Sequence, residues 1–453
     1  MEQRLFGTDG IRGRVNAGAI TPQNLVRLGE AIGFVLRSQG DGKPRILIGR
    51  DTRNSGVMIE AAIIAGLVNA GADATNCGIL PTPAIGFLTR KHGYDMGLMI
   101  TASHNPATDN GIKLFGRDGF KISEKLQTTL EQCIHSEDPC HVAFDELGTT
   151  TSSPSMAEEY VSFAQNSVGQ GVSFRGLKVC LDCANGAGTH VGPLVIESLG
   201  AEVSVIGNLP NGSNINADCG ALHTKHLQNA VLNTKSDIGF ALDGDADRLI
   251  VVDETGAEID GDQIMGALGL HFAAKGMLKG KAVAATIMSN LGLERALGKR
   301  GISLERTKVG DRHVVERMRE KQINIGGEQS GHIVLTDFVT TGDALIAALQ
   351  LLAIVKDRGE PASKVLSVFD PVPQILENVH YGTTDPLVDP SVKDALAKAE
   401  TELGETGRLV IRKSGTEPVI RVMVEALDQS VAEKVVRQIV AKLEVTIRAD
   451  GSE

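Results

Sequence analysis

The sequence predicts an α/β protein: three βαβ-type mixed-sheet domains plus a smaller C-terminal α+β lid domain, around a central cleft. Three observations lead there. Segments Pro44 to Gly78, Leu177 to Gly207 and Lys281 to Gly310 repeat one plan of apolar strand, polar loop, amphipathic helix, glycine and second strand. In each, the helix is the crossover that joins two strands. The plan then stops, and the loop KSGTEP is followed by an alternating strand, RVMVEA (Arg421 to Ala426), and a helical stretch from Ser430 to Leu443. Finally, 453 residues hold about three domains of ordinary size, with material for large cores.

The elements follow in order. The N-terminal FGTDGIRGRV is a glycine-rich loop carrying Arg12 and Arg14, and a binding loop and a plain turn fit it equally. Gly71, Gly200 and Gly301 stand where the C-caps of the three repeat helices belong. The run GTTTSSP, Gly148 to Pro154, is the expected linker and closes a first domain at residues 1–152. The turn Asp253-Glu-Thr-Gly256 closes a second at 153–254. Phe369-Asp-Pro-Val-Pro373 separates a third, 255–369, from the last, 370–453.

Within the first domain the apolar run Met96 to Ile100 gives way to TASHNPATDNGIK. Asn105-Pro106 and Asp109-Asn110-Gly111 read as turns. A turn does not account for the hydroxyl of Ser103 at a strand exit, where open α/β sheets place their chemistry. The hydrolase elbow G-x-S-x-G is absent, and His104 is not expected to swing onto its own neighbour's hydroxyl.

The second domain ends on IGFALDGDADRLIVVDETG, Ile238 to Gly256. A buried strand stops at Leu242, carboxylates follow at Asp243, Asp245 and Asp247, and an apolar run resumes at Leu249. Three acids so close must raise their pKa values or hold a cation, and hard oxygen ligands favour Mg²⁺ or Ca²⁺. An EF-hand fails, because the required glycine is Arg248 and the flanks are strands. A haloacid-dehalogenase-type phosphatase with Asp243 as nucleophile stays open, although Asp247 stands where such enzymes carry Thr or Val.

Two further loops offer ligands. In GGEQSGHIVL, Glu328, Ser330 and His332 could hold sugar hydroxyls, though alone the loop reads equally as a turn with a surface histidine. In IRKSGTEPVIR, Ser414, Gly415 and Thr416 form a tight turn flanked by Arg412 and Arg421. A backbone nest with two arginines suits a phosphate, and no P-loop pattern is present. A metal cluster beside a phosphate nest points to phosphoryl transfer, where Ser103 needs little activation because the metal neutralises the transferring group.

Composition excludes other classes. The net charge is −11, aromatics are 3% and Trp is absent, which suits neither nucleic acid nor an anionic membrane. The N-terminus lacks an apolar h-region, and the longest nearly apolar run, Ala344 to Val355, is too short for a bilayer. Cys180 and Cys183 form a C-x-x-C on a strand, where residues three apart face opposite sides, so they read as buried free thiols. The expectation is a cytoplasmic protein binding a small molecule, with no nucleic-acid or membrane partner.

Together these motifs resemble the α-D-phosphohexomutase family. TASHNP with NGIK is similar to its phosphoserine loop, DGDADR to its metal loop, GEQSGH to its sugar loop and RKSGTEP to its phosphate loop, in the family's order from residue 7 to about 426. GTDGIRG, DNGIK, EIDGDQIM, KVGDRHV and RKSGTEP are most similar to the branch acting on glucosamine phosphate. Ala246 departs from the family, where many members carry Gly; its methyl is expected to spare metal ligation and restrict the loop.

The resemblance implies a phosphate carried on Ser103, near one Mg²⁺ bound by that phosphate and by Asp243, Asp245 and Asp247. It implies interconversion of glucosamine 6-phosphate and glucosamine 1-phosphate through a sugar bisphosphate, which also primes the enzyme, in the supply of amino-sugar nucleotides and cell-wall precursors. Arg412, Ser414, Gly415, Thr416 and Arg421 would hold the idle phosphate, and Glu328 and Ser330 the ring hydroxyls. Arg12, Lys113, Arg248 and His332 match residues near the reacting groups, the general base among them being left open. Lys113 would need a depressed pKa for that role. The C-terminal domain, joined through Asp370 to Pro373, is the expected lid, and a homodimer is compatible with the resemblance. Glucose or mannose phosphates are the alternative substrates. A metal-dependent phosphatase and a catalytically idle sugar-phosphate sensor are the competing readings.

Overall fold

The computed structural model describes residues 5–7, 9–40, 42–136, 140–382, 385–413 and 418–449. Ser414, Gly415 and Thr416 lie outside the described residues. The chain packs as two compact units, Met1–Thr286 with Thr307–Val368, and Ile287–Arg306 with Phe369–Glu453.

The first unit begins with a six-stranded sheet. Its strands are β1 (Ile11–Arg14), β2 (Arg45–Arg50), β3 (Asp73–Ile79), β4 (Met96–Ile100), β5 (Asp109–Gly116) and β6 (Thr150–Ser152), in the order β1-β5-β4-β2-β3-β6. β4, β2, β3 and β6 run parallel, and β5 and β1 close one edge antiparallel. β4 is buried at every residue, as its unbroken apolar run requires of a central strand. Each of its large side chains contributes roughly 1.5–3 kcal/mol by leaving water.

Two expectations shift here. Asp109-Asn110-Gly111 is no turn; it opens β5, and glycine is required at 111 because a Cβ there would stand 2.5 Å from the Ile11 carbonyl. The expected linker contains β6, since its threonines are good strand formers and pair with β3.

The second sheet holds β7 (Lys178–Asp182), β8 (Glu202–Ile206), β9 (Ile238–Leu242), β10 (Leu249–Asp253) and β11 (Glu258–Ile259), in the order β11-β10-β9-β7-β8. β7 is parallel to β8 and β9, and β9 turns back antiparallel into β10. The turn Asp253 to Gly256 joins β10 to β11 within this sheet, so the sheet runs past the expected boundary at 254. Then come β12 (Ala282–Thr286), β13 (Ser303–Thr307), β14 (Ile325–Gly327) and β15 (Ile333–Leu335); β12 is parallel to β14, and β14 antiparallel to β15. Gly71, Gly200 and Gly301 all take positive φ just beyond their helices. All six cysteines are free thiols, and Cys180 and Cys183 are buried. No helix among the described residues is long and apolar enough to cross a membrane.

The second unit is an antiparallel sheet of β16 (Gln374–His380), β17 (Gly407–Lys413) and β18 (Val419–Ala426), in the order β16-β18-β17, with helices Pro390–Leu403 and Gln429–Ala449. Ile420, Val422 and Val424 from β18 meet Val435, Ile439 and Leu443 in its core. The last helix outruns the expected end at Leu443 because Ile447 continues the inward stripe. The unit also includes Ile287–Arg306, which the repeat plan assigned to the third domain. Asn290 bonds the Val372 backbone in both directions at 2.9 Å, and Arg408 donates to the carbonyls of Ile287 and Ser289.

Candidate active site

β4 delivers the chain to Ser103, whose φ of +52° lies in the left-handed region. That conformation costs a non-glycine residue roughly 1–2 kcal/mol. It turns Ser103 Oγ to donate to Asp243 Oδ2 at 2.6 Å and places it 3.1 Å from His104 Nδ1. The adjacent histidine therefore does reach its neighbour's hydroxyl, contrary to expectation. Extended residues send successive side chains to opposite faces, whereas the left-handed turn brings both to one side. Burial, with the Arg248 and Arg12 charges, pushes the His104 imidazole down to about 4, so it is neutral at pH 7.

The β9–β10 hairpin presents the acids. Asp243, Asp245 and Asp247 are buried, with carboxylate oxygens within 4.8 Å of one another. Asp243 Oδ1 accepts the backbone N–H groups of Asp247 and Arg248, each at 3.1 Å. The Thr82 hydroxyl donates to Asp245. Burial, then repulsion from Asp245 and Asp247, pushes Asp243 well above the usual carboxylate range. Asp245 Oδ1 and Asp247 Oδ1 are buried with no hydrogen-bond partner among the described residues. Two orphaned anionic oxygens in an all-carboxylate cluster fit a hard divalent cation. At Ala246, φ is +55°, which is why glycine suits that position and why its methyl stiffens the loop.

Lys113, on β5 opposite Met99, donates to Asp245 Oδ2 and Asp247 Oδ2 at 2.7 Å each. Burial would lower its pKa, but Asp245, Asp247 and Asp9 hold it well above the ordinary value. The depressed pKa that a base role for Lys113 would need is not what its surroundings favour: the three carboxylates hold it in the charged form.

Arg12 donates to Asp9 at 2.9 Å and to Asn105 at 3.2 Å, which ties β1 to the serine loop. Arg248 Nε is buried without a hydrogen-bond partner among the described residues. The backbones of Arg248 and His332 form a bridge that stitches the metal hairpin to the β14–β15 hairpin. His332 Nδ1 lies 3.6 Å from Asp247, and its Nε2 accepts the Gly342 N–H at 3.1 Å. Glu328 is half-buried and accepts the Gly310 N–H at 3.1 Å, whereas Ser330 is exposed. Ser103, Lys113, the three aspartates, Arg12, Arg248 and His332 thus converge; Ser330 stays at the surface. In the second unit, Arg412 and Arg421 are direct cross-strand partners on β17 and β18.

Comparison with known proteins gives the family. Four domains described for phosphoglucomutase/phosphomannomutase align in order: α/β/α domain I at residues 3–140, domain II at 158–256, domain III at 260–372 and the C-terminal domain at 376–442. A phosphoglucosamine mutase of Allorhizobium ampelinum is 51% identical over 441 residues, covering 97% of this chain and 98% of that one. The chain belongs to the phosphoglucomutase/phosphomannomutase family. It is a mutase, hence an isomerase, of the phosphohexomutase kind. A phosphoglucosamine mutase of Brucella ovis is 49% identical, with 97% of this chain and 98% of that one covered. A family protein from Burkholderia thailandensis shares the fold, with a TM-score of 0.82 and 24% identity over 98% of both chains.

Residues absent from the sequence reading adjoin the candidate site. Asp9 bridges Lys113, at 3.4 Å, to Lys121, and Lys121 continues to Asp311. Asp9 and Asp311 lie inside GTDGIRG and KVGDRHV, so their motifs were visible while their pairing was not. Beneath the serine loop lie Asp51 and Arg53, both buried, from the run GRDTRNSG that follows β2.

Proposed function

We propose that the chain interconverts glucosamine 6-phosphate and glucosamine 1-phosphate by passing a phosphoryl group through Ser103. The observation that carries this reading is the Ser103 hydroxyl, 2.6 Å from Asp243 at the edge of a buried triad in which Asp245 Oδ1 and Asp247 Oδ1 accept no hydrogen bond among the described residues. Phosphorylated Ser103 gives its phosphoryl group to the anomeric hydroxyl: the Oγ–P bond breaks, an O1–P bond forms, and the hydroxyl proton passes through a base of the site to leave Oγ as a hydroxyl. The bisphosphate turns over, its O6–P bond breaks, an Oγ–P bond forms, and the Oγ proton passes to O6. One Mg²⁺ held by Asp243, Asp245, Asp247 and the serine phosphate would neutralise charge on the group in flight.

The chain's own residues do the rest. Lys113 supplies positive charge beside the aspartates, and Arg12 and Arg248 offer donors to phosphoryl oxygens. Arg412 and Arg421, with the Ser414–Thr416 nest that the family pattern assigns, hold the idle phosphate. Glu328, with Ser330, receives ring hydroxyls. The cytoplasm is the proposed compartment, since free thiols persist there.

Peptide mass spectrometry of the purified protein should find acid-stable phosphate on Ser103. Hydroxylamine-labile phosphate on Asp243 would transfer the protein to the phosphatases. In an assay primed with sugar bisphosphate, kcat/KM should favour glucosamine over glucose phosphate by about tenfold or more, the worth of one charged hydrogen bond at roughly 1.5–3 kcal/mol. Equal values would move the substrate to glucose or mannose phosphate and leave the serine chemistry standing.

A further inference from the structure

We infer that Arg53 is a positioning residue for phosphoryl transfer: buried beneath the serine loop, it holds Ser103 in the left-handed turn that aims the hydroxyl at Asp243. The inference rests on the reading of Ser103 as phosphate carrier.

Arg53 is 1% exposed and spends its guanidinium on one loop. Nη2 donates to the carbonyls of Ser103 at 3.1 Å and Asn105 at 2.8 Å. Nη1 donates to those of Asp109, at 3.0 Å, and Pro106. Nε donates to Asp51 Oδ2 at 2.9 Å. Four carbonyls met by one rigid fork define the loop in a way a flexible ammonium cannot.

The other side of the Ser103 peptide is held from the same source. Asp51 Oδ2 accepts the Thr101 hydroxyl at 2.7 Å, and Thr101 Oγ1 in turn accepts the Ser103 N–H at 2.9 Å. Asn216 adds a second donor to the Ser103 carbonyl at 2.9 Å. Sheet register explains the meeting: β2 and β4 run parallel with Arg50 beside Ile100, so the residues following each strand emerge together. If Ser103 relaxed to negative φ, its carbonyl would swing off both donors and its hydroxyl off Asp243. The hydrogen bonds of Arg53 go to backbone carbonyls and to Asp51, so it acts through the backbone of the nucleophile.

The test is the rate of phosphoryl transfer from glucose 1,6-bisphosphate to dephosphorylated protein with Mg²⁺, by rapid quench, with steady-state kinetics in parallel. Arg53→Lys should slow transfer and kcat by about 30-fold or more, as small misplacements of reacting groups do. KM for the sugar phosphate, and the Mg²⁺ dissociation constant of the dephosphorylated protein, should stay within about threefold, since the three aspartates and the groups that hold the sugar phosphate are untouched. The near-isosteric Thr101→Val should slow transfer in the same sense, and it decides alone if Arg53→Lys fails to fold. Folded variants that transfer at the wild-type rate, or that raise KM with kcat unchanged, would overturn the inference. Wild-type protein that takes no label on Ser103 would overturn the phosphoserine reading instead.

Discussion

Asp243 carries an electrostatic cost in the folded site. Burial and two neighbouring carboxylates raise its pKa in the folded chain, while the unfolded chain ionises it normally. Below the unfolded value both states are protonated and there is no penalty. As pH rises beyond it, folding without metal must keep a proton or bury a third charge. Asp243→Asn should therefore stabilise the protein in chelator, by up to about 1.4 kcal/mol for each pH unit above 4 until the folded group ionises. Urea melts at pH 4, 6 and 8 measure this, and an advantage that shrank with rising pH would refute it. The same variant should lose most turnover, a trade expected where a site is built against its own stability.

At the scale of the element, the β17–β18 ladder sets Arg412 directly opposite Arg421. Like charges facing across an antiparallel pair tend to destabilise it, by roughly 0.2–1 kcal/mol, and the proposed role of this pair is to hold an anion. Arg421→Ala should leave thermal stability unchanged or slightly raised. It should also raise KM by about tenfold to a hundredfold through loss of a charged hydrogen bond, with some loss of kcat because remote binding energy aids alignment. A drop in stability with unchanged KM would mark the arginines as structural. Neighbouring β16 and the helix Leu291–Gly298 share this unit through Gln374, Arg408 and buried Glu425, whose oxygens accept from both side chains and from the Leu291 N–H.

For the whole molecule, the proposed metal triad would link stability to Mg²⁺. A ligand at a hundred times its dissociation constant, bound only by the folded state, adds about 2.7 kcal/mol. Differential scanning calorimetry should show wild-type Tm climbing with Mg²⁺, and Asp245→Ala staying level while remaining folded. A variant that still climbed would place the metal elsewhere. Because no activity is read, this separates ion binding from turnover.

Much of this was legible in the sequence. Met96 to Ile100 and Ile238 to Leu242 had to be buried strands because no polar residue interrupts them, and both are central in their sheets. The loops that follow them carried Ser103 and the three aspartates, and the hairpin around GEQSGH fell between two apolar runs. Periodicity and local composition record such facts directly. What only the tertiary structure decided is which distant groups meet. Asp9 with Lys121 and Asp311, Arg53 with the serine loop, and Ile287–Arg306 with the C-terminal sheet all join residues far apart in the chain. The protonation of Lys113 belongs with them, since it depends on carboxylates more than a hundred residues away. Coulomb and hydrogen-bond energies depend on separation in space, and separation along the chain fixes that only within a turn or a ladder.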